Sequence, residues 1–364
     1  MTDPTERYPL QSLYYYQTTC NQQCRHCWLG PGLTRPEKAG NAALSLESFE
    51  DMLEQGMALG LKHIKFTGGE PFCDSGFMQK IVAARARNLR VTIETNATLV
   101  NKALARDLKR LGVGFIALSL DGADPESHDA QRGGKGAYRD ALAGLQALIE
   151  AQFHPQVIYT PTASLLTQTE EIITLLNRFP ISSLKINIIS MIGKGGTLHR
   201  SGKVPSIQDY LVLNKRIASR QLVCKEYPLL FDIPPAFQSM GRILRRTPGR
   251  CGIKNILGVL SDGRISICGV GLVKAELILG RLDKDRLEEI WRNHITITTL
   301  RDGLPHQLKG ICSDCAMKRL CLGKCRAEAY VAEEDLMAPG SFCTEADRLE
   351  LFPVTRRISR IKAG

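Results

Sequence analysis

The stretch "YYYQTTCNQQCRHCWLG", residues 14–30, decides the fold because it joins a strand to a set of thiols. Leu13 to Thr18, with Tyr14, Tyr15 and Tyr16, reads as a β-strand, since aromatic residues suit a pleated, half-buried surface. Cys20, Cys24 and Cys27 follow within eight residues. Three is an odd set. A disulfide consumes two cysteines and a structural zinc site usually four. Outward from this stretch, residues 13 to about 190 alternate apolar strands with amphipathic helices. Strands are expected at 62–66, 90–94, 115–120, 156–160 and 184–189, and helices at 45–59, 75–88, 99–110, 136–152 and 167–178. In "SLESFEDMLEQGMALG", Ser45 can cap, and Leu46, Phe49, Met52, Leu53 and Met57 recur at helical spacing. Strand–helix alternation implies right-handed βαβ units and a parallel sheet. With the first strand there are six units, too few for a closed eight-stranded barrel. The expected fold class is α/β, a partial (β/α)6 barrel, with a smaller cysteine-rich α+β domain behind it.

The change of rhythm marks that second part. "MIGKGGTLHRSGKVP", residues 191–205, reads as a Gly- and Lys-rich break, followed by a helix at 206–221. Residues 251–345 hold seven of the twelve cysteines, and "NILGVLSDGRISICG" reads as a hairpin turning at Asp262-Gly263. The chain of 364 residues accommodates two such parts. Hydrophobic residues at 43% and charged residues at 23% are ordinary for a soluble globular protein. No apolar run approaches the roughly 18 residues of a membrane span, and "MTDPTERYPL" lacks the features of a signal peptide. The expected location is the cytoplasm, where metal ligation explains twelve cysteines better than disulfides. The net charge of +11 suggests an acidic partner, but the basic residues are spread out, and thiolate-bound iron–sulfur clusters would add negative charge. Nucleic acid is therefore not the expected partner.

Loops after parallel strands form the active face of such folds, and the three cysteines lie on one. A 4Fe–4S cluster takes one ligand per iron, so three thiolates leave one iron for a substrate or cofactor. A zinc site completed by His26 or another residue is the alternative. "KFTGGEPF", residues 65–72, ends the second strand. Gly68 and Gly69 let the backbone approach a ligand, Glu70 can accept from an ammonium group, and Pro71 stiffens the exit.

Cys20-x3-Cys24-x2-Cys27 with Gly68-Gly69-Glu70-Pro71 resembles the radical S-adenosylmethionine (radical SAM) superfamily. "SLDGADPESHDAQR", Ser119 to Arg132, resembles the segment after strand four in its peptide and protein maturases. The resemblance implies that the open iron is chelated by the SAM amine and carboxylate. It implies that Gly68, Gly69 and Glu70 hold the amine, that Ser119 and Arg132 hold the carboxylate end, and that His26 packs on adenine. It implies reductive cleavage of SAM to a 5′-deoxyadenosyl radical, which removes hydrogen from an unactivated C–H bond.

The later cysteines resemble a SPASM domain: Cys251, eleven residues, Gly263, four residues, Cys268, then Cys312-x2-Cys315-x5-Cys321-x3-Cys325-x17-Cys343. That family carries two auxiliary clusters. The resemblance assigns Cys312, Cys315, Cys321 and Cys343 to one, and Cys251, Cys268 and Cys325 to the other, whose fourth iron is open or borrows Cys224. The implied cofactors are SAM and three 4Fe–4S clusters. The implied divisions are a lead-in at 1–12, a radical SAM core at 13–222, a linker at 223–250, a SPASM domain at 251–345 and a tail at 346–364. Cys73 and Cys224 remain as buried or spare thiols.

The nearest resemblance is to maturases of ribosomally made peptides, including the selenobiotic-type group. The implied substrate is a precursor peptide or protein, modified by a thioether or other crosslink or by epimerisation. A separate leader-binding protein and a flavodoxin- or ferredoxin-type reductant are the implied partners. An anaerobic sulfatase-maturase-like enzyme or a small-molecule radical SAM dehydrogenase is the alternative. Gly269, directly after Cys268, stands where the sulfatase maturases commonly have an aspartate base. A non-catalytic iron–sulfur electron carrier is the remote alternative.

Overall fold

The three tyrosines of residues 14–16 divide between two sides of one strand. In this computed structural model, which describes residues 8–35, 43–219, 222, 224, 226–245 and 251–361, strand β1 is Ser12–Gln17. Successive side chains on a strand alternate faces. Tyr15 turns outward under the helices, edge-on to Phe49 at 5.4 Å and to Phe66 at 5.7 Å. Tyr14 and Tyr16 turn inward to a cavity.

The sheet continues through β2 (His63–Gly68), β3 (Arg90–Thr95), β4 (Phe115–Ser119), β5 (Gln156–Tyr159), β6 (Ser183–Ile186) and β7 (Leu229–Phe231), all parallel. Helices Leu46–Ala58 (α1), Phe77–Ala86 (α2), Lys102–Arg110 (α3), Pro125–Arg132 (α4), Ala137–Glu150 (α5) and Thr169–Leu176 (α6) fall between them. Ser45 caps α1 as expected, accepting from Ser48 N, and Phe49, Met52 and Leu53 are buried. Leu46 and Met57 instead stand about 40% exposed, so the buried face is narrower than the apolar spacing implied.

Three features differ from expectation. A seventh parallel strand, β7, lies inside the expected linker 223–250; three residues are too few to show a period in the sequence. The expected break at 191–205 contains helix Lys194–Arg200 (α7). Its glycines serve close packing: a Cβ on Gly195 would stand 2.1 Å from Ser190 O, and one on Gly196 would stand 2.5 Å from Met191 O. Third, the second part does not form a sheet of its own. The hairpin of β8 (Ile256–Leu260) and β9 (Arg264–Ser266) turns at Asp262-Gly263 as expected. β8 then pairs in parallel with β1, and β10 (Ile278–Arg281) adds outside β9. One sheet results, in the order β10-β9-β8-β1-β2-β3-β4-β5-β6-β7. Residues 1–7 of the expected lead-in, 220–221 of the helix after the break, 223, 225 and 246–250 of the expected linker and 362–364 of the tail lie outside the described residues.

Trp291, on helix Leu287–Asn293, fastens this join from behind. It is fully buried, its indole N–H donates to Tyr8 O at 3.0 Å, and the Arg301 guanidinium lies 4.0 Å from its ring. Trp291→Ala removes a large buried ring and leaves that carbonyl without its donor. It is expected to cost about 3–5 kcal/mol, read as a lower midpoint of denaturant unfolding.

Candidate active site

The C-terminal ends of β1 and β2 touch through their backbones. Gly69 N donates to Gln17 O at 2.7 Å and Glu70 N to Thr19 O at 2.8 Å. A Cβ on Gly69 would stand 2.0 Å from Thr19 O, and one on Gly68, whose φ is +101°, would stand 2.7 Å from Gln17 N. The glycines therefore serve an approach to the protein's own backbone, while the same bare segment lines the cavity. The cysteine loop leaves from that junction. Cys20 N donates to Thr34 O at 3.0 Å, Gln23 N to Arg132 O at 3.2 Å and Arg25 N to Gln131 O at 2.9 Å. Lys194 N closes the far end on Cys27 O at 3.1 Å.

Cys20, Cys24 and Cys27 face one another. Burial raises the Cys20 thiol far above its usual range; burial, reinforced by Cys24, raises Cys27 to about 11. Gln22 N points at the Cys20 sulfur at 3.4 Å, and Arg132 Nη1 donates to the Cys24 sulfur at 3.6 Å. The later cysteines lie near one another in two groups. Cys343 neighbours Cys312, Cys321 and Cys315, and Cys268 neighbours Cys325 and Cys251. Backbone N–H groups point at three of these sulfurs: Met317 N at Cys315, Gly340 N at Cys312 and Glu328 N at Cys325, at 3.3, 3.5 and 3.4 Å. Cys224 stands apart against Tyr227, and Cys73 has Glu70 as its charged neighbour.

Among the described residues, no three His, Cys, Asp or Glu side chains gather closely enough to hold a single metal ion. Neighbouring thiols that receive backbone N–H donors suit a multi-iron cluster, which places a separate iron at each sulfur.

Glu70 turns away from the cavity in this structure. Its carboxylate is fully buried and does not line the cavity. It accepts from Thr95 Oγ1 at 2.7 Å, Asn96 N at 2.7 Å and Phe72 N at 3.3 Å. Burial raises it to about 7, against the lowering effect of these donors. It braces the loop after β3. Asn96, braced in this way, does line the cavity, as do Ser119, His26 and Arg132.

Asp121, overlooked in the sequence, organises the wall beside Cys24. It is fully buried; Oδ1 accepts from Thr160 N at 2.7 Å, and Oδ2 lies 2.7 Å from Arg132 Nε and 3.4 Å from His26 Nε2. Burial lowers His26 to about 4, so the ring is neutral at pH 7. Its Nδ1 accepts from the Gln131 side-chain amide at 2.6 Å, which places the ring proton on Nε2, facing Asp121 Oδ2 without a well-angled hydrogen bond. An Asp before Gly in "SLDG" reads as a turn, which conceals this role. Also unforeseen are Glu94, held by Lys65 at 2.5 Å, and Glu328 beside Cys325.

One cavity of about 1220 Å³ joins these parts. Cys20, Cys24 and Cys27 line it together with Cys251, Cys268 and Cys325. Exposed Ser206, Gln208 and Glu333 belong to its rim.

The bracing role of Glu70 is testable. Glu70→Gln keeps the shape but sets an amide N–H against an N–H or O–H donor, and should cost about 1–3 kcal/mol in unfolding free energy. The wild-type carboxyl is raised from 4.5 to about 7, so its stabilising contribution is full below 4.5 and declines as pH rises through 7. Because His26, His63 and His128, lowered by burial to about 4, titrate over the same window in both proteins, the readout is the difference: the stability of the wild type minus that of Glu70→Gln, from unfolding midpoints, should fall as pH rises from 4.5 through 7.

The radical SAM superfamily profile matches residues 14–178, and the SPASM profile, an iron-sulfur cluster-binding domain, matches residues 251–316. The chain is 26% identical over 339 residues to the AdoMet-dependent heme synthase of Methanosarcina barkeri, covering 89% of this chain and 93% of that protein. It is 24% identical over 333 residues to the mycofactocin maturase MftC of Mycolicibacterium smegmatis, covering 90% of this chain and 80% of that protein. Streptococcus suis SuiB bound to S-adenosylmethionine superposes with a TM-score of 0.71 at 18% identity, over 92% of this chain and 77% of SuiB. The anSMEcpe structure with AdoMet and the Cp18Cys peptide superposes at 0.69 and 18% identity, over 94% and 96%. Both domains are matched in the order in which the cysteine sets occur, on a shared fold: the chain is a radical SAM enzyme with a SPASM domain, and belongs to the radical SAM superfamily.

Proposed function

We propose that this enzyme is a maturase that modifies a ribosomally made peptide, by a crosslink or an epimerisation begun with hydrogen abstraction. The observation that carries this reading is the single cavity. It brings the thiols of the N-terminal set, those of Cys251, Cys268 and Cys325, and Cys312, Cys321 and Cys343 of the remaining set to one space, and exposed residues form its rim. In this reading a peptide segment enters at that rim and approaches the N-terminal set.

When bound, the N-terminal cluster and SAM supply an electron and a carbon-centred radical that takes hydrogen from a C–H bond. The chain's own residues bind and orient. In this reading the bare backbone at Gly68 and Gly69, with Asn96, faces the amine end of SAM. Ser119 and Arg132 face its carboxylate end, and His26 the adenine. Cys20, Cys24 and Cys27 hold one cluster, Cys312, Cys315, Cys321 and Cys343 a second, and Cys251, Cys268 and Cys325 a third. Lys185, near Glu94, and Lys194, near Cys27, line the cavity and would suit an acidic group on the substrate. A flavodoxin- or ferredoxin-type protein supplies the electron, and a separate protein binds the precursor's leader.

The position after Cys268 speaks against a sulfatase-maturase base. A Cβ on Gly269 would stand 2.6 Å from the Tyr16 ring, so a side chain fits there only if that buried ring moves. A second reading, oxidation of a tetrapyrrole, rests on the near full-length likeness to the heme synthase. A tetrapyrrole's carboxylates would suit Lys185 and Lys194 equally.

Deuterium-labelled extract separates the two. Incubated anaerobically with SAM and dithionite, the enzyme should form 5′-deoxyadenosine one mass unit heavier when given the small-peptide fraction. Label arriving only from the tetrapyrrole fraction would establish the second reading instead. Formation of no 5′-deoxyadenosine from any fraction would point to an electron carrier.

Cluster number is checked by iron. Three clusters correspond to roughly twelve irons per chain. Replacing Cys20, Cys24 and Cys27 with alanine should remove about a third of the iron and abolish SAM cleavage. Unchanged iron in the triple variant would refute the assignment.

A further inference from the structure

We propose that buried Asp121 is a positioning residue for the SAM-binding cluster: by fixing the Arg132 guanidinium, it maintains the N–H···S bond to Cys24 and so raises the cluster's reduction potential. The inference needs the cluster set of Cys20, Cys24 and Cys27 but not the peptide substrate, so it stands or falls apart from the proposed substrate.

The geometry is an anchored fork. Asp121 has no exposed surface, and Thr160 N holds its Oδ1 at 2.7 Å. Its Oδ2 faces Arg132 Nε at 2.7 Å; the alignment is that of an ion pair and not of a well-angled hydrogen bond. The other end of the guanidinium donates from Nη1 to the Cys24 sulfur at 3.6 Å. Arg132 is 7% exposed and lies in the last turn of α4, whose C-terminus is itself stitched to the cysteine loop by Gln23 N on Arg132 O. His26 Nε2, at 3.4 Å, takes the remaining side of Oδ2. The carboxylate is thus anchored by one hydrogen bond and flanked by two cationic or N–H-bearing neighbours, and it holds the guanidinium beside the sulfur by charge.

Hydrogen bonds to ligand sulfurs, net charge and exposure set the potential of an iron–sulfur cluster. Reduction adds an electron, so a donor aimed at sulfur stabilises the reduced form more than the oxidised form. Burial keeps water from screening it. Partners that orient a ligand environment in this way typically matter nearly as much as the ligands.

Two roles of Asp121 predict opposite signs. If only its charge acted, Asp121→Asn would remove a negative charge near the cluster and raise the potential. If it acts by holding Arg132, the N–H···S bond slackens and the potential falls. The measurement is an EPR-monitored redox titration without SAM on anaerobically reconstituted full-length protein. The relevant signal is the one absent when Cys20, Cys24 and Cys27 are all alanine. Asp121→Asn and Arg132→Gln should both lower the midpoint, by on the order of a tenfold change in the reduction equilibrium, or about 59 mV for one electron. A midpoint that rises or stays still in Asp121→Asn overturns the proposal. If Asp121→Asn takes up no iron, Arg132→Lys carries the test. One ammonium cannot serve Asp121 and Cys24 as a fork does, so the midpoint should fall although the charge is kept. An unchanged midpoint in Arg132→Lys, with weaker SAM binding alone, would assign Arg132 to SAM and overturn the proposal.

Discussion

The contact on which the site depends is backbone on backbone: Gly68 and Gly69 at the end of β2 lie against Gln17 and Thr19 at the end of β1. With side chains at those two positions the strand ends would have to part. The cysteine loop begins one residue later, so the position of Cys20 is inherited from this contact. The bonds from Gln23 and Arg25 to α4 and from Lys194 to Cys27 O then hold the rest of the loop. Three thiols come together because three separate parts of the α/β core grip an eight-residue loop.

Much of this was legible in the residues. Cysteine spacing, the Gly-Gly segment and the strand–helix rhythm identified the core, and the Asp262-Gly263 hairpin was correctly read. These are local patterns. What the sequence hid is long-range. The three residues of β7 are too short to show a period, and they count as a strand only because β6 lies beside them. The parallel pairing of β8 with β1 joins residues some 240 apart, and nothing in either segment announces the other. At the site, Glu70 was expected to hold an ammonium group, as the resemblance of Gly68-Gly69-Glu70-Pro71 implies. Its direction is decided by Thr95 and Asn96, from a different strand end. Asp121 was overlooked for the converse reason: its local sequence suits a turn, and its partners His26, Arg132 and Thr160 come from three other segments.

Tyr16 shows how tightly the two parts are matched. Its ring fills the space that a side chain after Cys268 would need, and its inward position follows from the alternation that sends Tyr15 outward. A change of residue on the first strand would therefore alter what is permitted beside Cys268, more than 250 positions later.

The parallel pairing of β1 with β8 has a consequence for modularity. β1 would be the outermost strand of the core if the chain ended before residue 251, and the row of N–H and C=O groups that now bonds Ile256–Leu260 would be bare. Such an edge, carrying the aromatic segment Tyr14–Tyr16, is a template for pairing with other chains. The two family domains are thus separate in sequence but not detachable in space. A fragment made of the radical SAM domain alone would lack the strand that makes its first strand interior, and association between fragments would be its natural fate.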